Sequence, residues 1–147
     1  MALETFTWQG ALLMGGVIGL IELFFVHADE KGLGWLSHGL HALPIAIVLT
    51  FISMNIDWFI VSVVNWQGYN GNIAIQAGLR TLVGLVAAFK VKSAAAVIQG
   101  HNSVGEKLGH ALIIGILIAT SPYIWAFILG TNVLPAWLSG VTPAPSR

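Results

Sequence analysis

Three ionisable residues, Glu22, Asp57 and Arg80, sit inside long apolar stretches and carry the sharpest chemical signal in the chain. A charge within a hydrocarbon layer is costly unless it meets an opposite charge or water. Each such residue therefore marks either a structural pair or a route for ions or protons. Asp57 and Arg80 lie equally far along the chain from the Gly68–Tyr69 step. If the segments flanking that step fold back as an antiparallel hairpin, the two residues share a depth and form an intramembrane ion pair. The same register sets Ser53 against Gly84 and Val61 against Gln76. This gives a small and polar seam, with Thr50, Ser53 and Asp57 on one helix and Gln76, Arg80 and Gly84 on the other. Such a pair either clamps the hairpin or opens and closes as ions move.

Glu22 shares a helix face with Ala11, Gly15 and Gly19, because spacings of three, four and seven return to one side. Small residues four apart let helices approach closely, which turns Glu22 toward a packed interface. It is then either a structural carboxyl bonded to His41 or Thr50 of the next helix, or a proton carrier in coupled transport.

The five His residues gather toward one end of the arrangement. His27 closes the first apolar stretch, His38 and His41 open the second, His101 lies in the third connection and His110 begins the fourth. His38 and His41 project from adjacent positions on a helix, a geometry that suits two ligands of one metal ion. Asp29, Glu30 and Glu106 are near enough in topology to add oxygen ligands. Alternatively, His27 or His41 with His110 would hold haem from two neighbouring helices. The ordinary reading is an amphipathic ring at headgroup depth. The chain has no Cys, so disulfides and thiolate sites are excluded. The Gly-rich run Met14–Gly19 lies within an apolar span with no strand before it, unlike a nucleotide loop. With no nucleophile set beside a base, no autonomous enzyme activity is expected.

The elements that position these residues follow from composition. Of 147 residues, 56% are hydrophobic and 8% charged, with net charge zero; mean hydropathy is +0.84. Soluble domains carry roughly 25% charged residues, so a soluble monomer this poor in charge could not cover its surface. Lys90 and Lys92 are the densest basic pair, too little for a nucleic-acid partner. Crossing about 30 Å of hydrocarbon takes roughly 20 apolar residues. Four stretches qualify: 6–27, 41–66, 72–92 with an Ala-rich continuation toward Gln99, and 108–129. The first lacks a basic start and a small-residue cleavage site, and reads as a retained span.

The expected fold class is all-α: a polytopic integral membrane protein built as a four-transmembrane-helix bundle in a single domain. Pro44 is expected in the first turn of the second span, residues 28–37 as a polar loop, and Ser103 with Glu106 as a capping box. Thr120-Ser121-Pro122 should bend the fourth span, and Pro135, Pro143 and Pro145 make the tail 130–147 irregular. Most Trp residues fall near span ends, as an interfacial belt requires. Lys31, Lys90, Lys92 and Lys107 gather on one side against Arg147 on the other, which predicts that both termini are extracytoplasmic.

Two classes of function remain. The first is a non-catalytic subunit or protomer of a larger membrane assembly, with lipids and further copies or other subunits as partners and haem or a metal ion as candidate cofactors. The second is proton- or ion-coupled transport through Glu22 with Asp57–Arg80 as gate. A short four-span chain with a lone Glu in its first span is similar in outline to the small multidrug-type transporters; this likeness is architectural and carries over no residue.

Overall fold

The computed structural model describes residues 6–29, 35–66, 68–69, 72–98, 108–130 and 134, with side chains for all of these but 29, 35–41, 93–98 and 129–130. Among these residues four helices follow one another: α1 (Trp8–Asp29), α2 (Trp35–Phe59, continued by a π-helical turn Ile60–Val64), α3 (Ile73–Ile98) and α4 (Leu108–Gly130). Each is long and apolar enough to cross a membrane, so the chain is an all-helical integral membrane protein. The Ser103–Glu106 capping box, His101 and nearly all of the tail fall outside the described residues.

The helices run alternately up and down. Gly15 and Gly19 of α1 meet Ile47 and Leu43 of α2, while Gly10 lies on the indole of Trp125 in α4. Farther along, the ring of Phe25 in α1 stacks flat on His110 of α4 at 4.3 Å. The start of α1 and the end of α4 therefore share one end of the bundle. Ala11, Met14, Ile18, Ala46, Met54, Ala87, Ala111, Ile114 and Ile118 fill the interior between them.

Local chemistry fixes the helix ends. The start of α1 is held by Asn55, whose side chain accepts the Thr7 N–H at 2.7 Å while donating to the Phe51 carbonyl at 3.0 Å. At the close of α2 the Ile60 carbonyl accepts from the N–H of Asn65 and of Trp66. Asn65 turns the chain at φ 53°, a left-handed conformation that Asn tolerates better than most residues. Asn72 then opens α3, its side-chain oxygen taking the Ile75 N–H at 3.1 Å, the bond an N-cap makes.

Two expectations need correction. The second helix begins at Trp35, so Pro44 lies well inside it and the loop before it is shorter than residues 28–37. The proline leaves the Leu40 carbonyl without its usual donor, a loss that surrounding packing tolerates within a membrane bundle. Ser53 also does not meet Gly84. A Cβ added at Gly84 would stand 2.6 Å from the Gly115 carbonyl oxygen of α4, so Gly84 faces α4 and not the seam with α2. The hairpin register holds where Arg80 reaches across; nearer the middle of the bundle, backbone contact draws α3 toward α4.

Helix α4 accommodates its own proline by local bonding. Pro122 cannot donate to the Ile118 carbonyl, and the Ser121 hydroxyl donates to it instead at 2.8 Å. Thr120 bonds back to Ile116 at 2.7 Å.

Candidate functional site

Asp57 and Arg80 form a buried ion pair through Oδ2 and Nη2, their side chains 2% and 3% exposed. Each lies seven residues inside its span, counted from Val64 and Ile73, or about 10 Å at 1.5 Å per residue. Two tyrosines complete the group. Tyr69, in the turn between α2 and α3, is wholly buried and donates its O–H to Asp57 Oδ1. Arg80 Nη1 donates to Tyr123 Oη of α4 at 3.3 Å, and the guanidinium carbon stands 5.1 Å from the centre of that ring.

The grouping answers the cost of a charge in a low-dielectric interior. A bare ion pair rarely recovers its desolvation there unless further hydrogen bonds satisfy the remaining groups, and here both carboxylate oxygens and two guanidinium nitrogens are engaged. Burial raises the Tyr69 hydroxyl above the ordinary phenol range, and the hydrogen bond to Asp57 together with its charge adds to the effect. Tyr69 is thus a firm donor.

On their own, the residues of this chain identify no relative. Compared with known proteins, it matches no family model, no curated protein and no solved structure. Its chemistry rests on the geometry alone.

Glu22 is buried at 3% exposure, on the face it shares with the buried Ala11, Gly15 and Gly19. Thr50 is not its partner, because the Thr50 hydroxyl bonds to no atom of the described residues. The α1–α2 register explains why: Gly19 meets Leu43 and Gly15 meets Ile47, which puts Thr50 about 15 Å along the axis from Glu22 at 1.5 Å per residue. The side chain of the other candidate, His41, lies outside the described ones. Between Glu22 and the ion pair stands an apolar layer that includes Ile18, Ala46, Ile114 and Ile118.

Of the five His residues, His27 and His110 have described side chains. His27 and His110 are both half-buried, and the stacking of His110 on Phe25 brings it within two residues of His27 in depth. The side chains of His38 and His41 are outside the described ones. Among the described residues no three His, Asp or Glu side chains come close enough to hold a metal ion.

Three members of the polar framework escape a reading of the sequence: Tyr69, Tyr123 and Asn55. Tyr69 stands in a Gly- and Asn-rich turn and reads as a headgroup aromatic. A signal was nonetheless present, since a turn directly above a buried Asp–Arg pair is where a phenol can reach it.

Proposed function

We propose that the chain is a non-catalytic protomer that assembles with further copies of itself within the membrane. The observation that supports this reading is a reversal on α3. Among the four spans α3 has the lowest mean hydropathy, 1.4 against 2.0 to 2.1, and the smallest buried share, 22%. A helix turned to lipid should be the most apolar of the set. Its exposed surface is instead mixed: Ile73, Leu82, Leu85, Val86 and Phe89 suit lipid, while Ala74, Ala77, Gly78 and Thr81 form a stripe of small side chains beside them, with open space beyond Gly78. Small residues gain little from lipid and much from the close approach of another helix. Beside them, an open cleft of about 230 Å³ between α3 and α4, lined by Thr81, Leu85, Ala88, Leu112 and Ile116, offers a groove for neighbouring side chains. Self-association is the commonest route to an assembly. In this reading the turn bearing Tyr69 and both termini face away from the cytoplasm, as the Lys distribution predicts.

The test is the mass of the particle in mild detergent together with oxidative cross-linking of Gly78→Cys, made direct by the absence of native Cys. A mass of several chains and a disulfide-linked pair are expected. A particle containing one chain, with no cross-link in the membrane, overturns the proposal. Absorbance recorded on the same sample tests the haem alternative for His27, His41 and His110, which requires a Soret band.

Proton-coupled transport is the second reading, and the burial of Glu22 in the bundle favours it. It predicts proton flux in liposomes that Glu22→Gln abolishes while leaving assembly intact. Flux unchanged by that substitution rejects it.

A further inference from the structure

Asp57 holds two donors while a third stands unused beside them. Tyr69 O–H occupies Oδ1 and Arg80 Nη2 occupies Oδ2, yet the buried Arg80 Nε–H has no acceptor among the described residues. A guanidinium presents Nε and a terminal nitrogen as a planar fork matched to both oxygens of one carboxylate. Here the fork grips with one prong, on Oδ2, while the phenol holds Oδ1. An unsatisfied donor in the interior is rare and calls for a reason.

A second anomaly lies directly beneath. Ser53 and Thr50 are one and two turns below Asp57 on the same face of α2, both wholly buried, and neither hydroxyl finds a hydrogen-bond partner among the described residues. Buried Ser and Thr in apolar helices ordinarily donate to a carbonyl of the preceding turn, as Thr120 and Ser121 do in α4. Hydroxyls that forgo this bond suit a lining that meets water.

We propose that the Tyr69 side chain is a releasable closure over a polar vestibule lined by Asp57, Arg80, Ser53 and Thr50. When the phenol leaves Oδ1, Arg80 Nε–H takes its place and the ion pair becomes two-pronged. No buried oxygen is stranded, so release costs less than breaking a salt bridge would. Water then reaches Ser53 and Thr50 from the turn side and stops at the apolar layer of Ile18, Ile114 and Ile118. The vestibule is a blind inlet. It stands whether or not the chain assembles with other copies.

The absence of native Cys makes access measurable in the full chain reconstituted into liposomes. Ser53→Cys is expected to react slowly with a membrane-impermeant maleimide when Tyr69 is present. Adding Tyr69→Phe keeps the ring and removes only the bond to a charged acceptor, and should raise the labelling rate roughly tenfold or more. Ala46→Cys, in the apolar layer, should stay unlabelled in both backgrounds. Equal labelling of Ser53→Cys with and without the hydroxyl overturns the proposal, as does a parallel rise at Ala46→Cys, which would mean general loosening. If Ser53→Cys fails to fold, Thr50→Cys takes its place with the same two outcomes.

Discussion

Arg80 joins three helices from one side chain: rooted in α3, it pairs with Asp57 of α2 and places Nη1 3.3 Å from Tyr123 Oη of α4. Replacing Asp57 or Arg80 alone by Ala strands the other charge in the interior and should cost about 3–5 kcal/mol. Exchanging the two residues should recover part of that loss, since both tyrosines are placed for the original order. Unfolding of the purified variants in detergent reads the difference, and a swap no better than either single change removes the pair as a stabilising unit.

Tyr123 contributes at the edge of the same group, half of it open to the surroundings. Tyr123→Phe removes a long hydrogen bond but keeps the ring beneath the guanidinium, and should lower stability by about 1 kcal/mol. Tyr123→Leu should lower it further by removing the cation–π contact as well. A Leu variant as stable as Phe would assign the whole effect to the hydroxyl.

Backbone contact between α3 and α4 depends on two glycines. A Cβ at Gly84 would meet the Gly115 oxygen at 2.6 Å, and one at Gly115 would meet the Gly84 oxygen at 2.5 Å. Either Ala substitution must push the helices apart, at roughly 1–3 kcal/mol. Gly16→Ala, with nothing within 4 Å, should cost nothing, and equal losses at all three sites would refute the packing argument.

The raised Tyr69 hydroxyl has a definite signature in alkali. A group that binds its proton more tightly when folded contributes stability that is whole below its unfolded pKa and declines above it. With an ordinary value of 10.0 for Tyr, the contribution holds up to about pH 10 and falls beyond. Tyr69→Phe has no such proton. Melting temperatures of the two proteins should differ by a constant amount from pH 7 to about 10 and converge above it.

Within α4, Ser121→Ala should leave the Ile118 carbonyl with neither proline nor hydroxyl as donor. A loss of about 1 kcal/mol is expected, against a negligible effect of the same substitution at exposed Ser62. Equal effects at the two sites would mean that the Ser121 hydroxyl does not stand in for the missing donor.

Much of the fold is legible in the sequence. The four spans needed only length and hydropathy, because a hydrocarbon layer admits few other backbones. Asp57 and Arg80 were matched from their equal distance to one turn. The neighbours of that pair were not legible. Ser53 and Gly84 looked opposed by the same arithmetic, yet Gly84 turns to Gly115, since one helix pair cannot say how a third draws it aside. Pro44 misled for a related reason: a rule drawn from helix starts in water does not hold where neighbouring helices tolerate an interior proline.

The sequence by itself determined that this chain is an all-helical membrane protein, and which of its charged residues had to find each other. Scarcity made those residues visible, because a charge in an apolar span is too costly to be incidental. The tertiary structure decided what surrounds them. Tyr69 closes the pair from a turn, Tyr123 reaches it from the fourth helix, and Arg80 Nε with the Ser53 and Thr50 hydroxyls finds no hydrogen-bond partner among the described residues. Such contacts depend on helix rotation and tilt, which are fixed by the packing of all four helices together and are written in no single one of them.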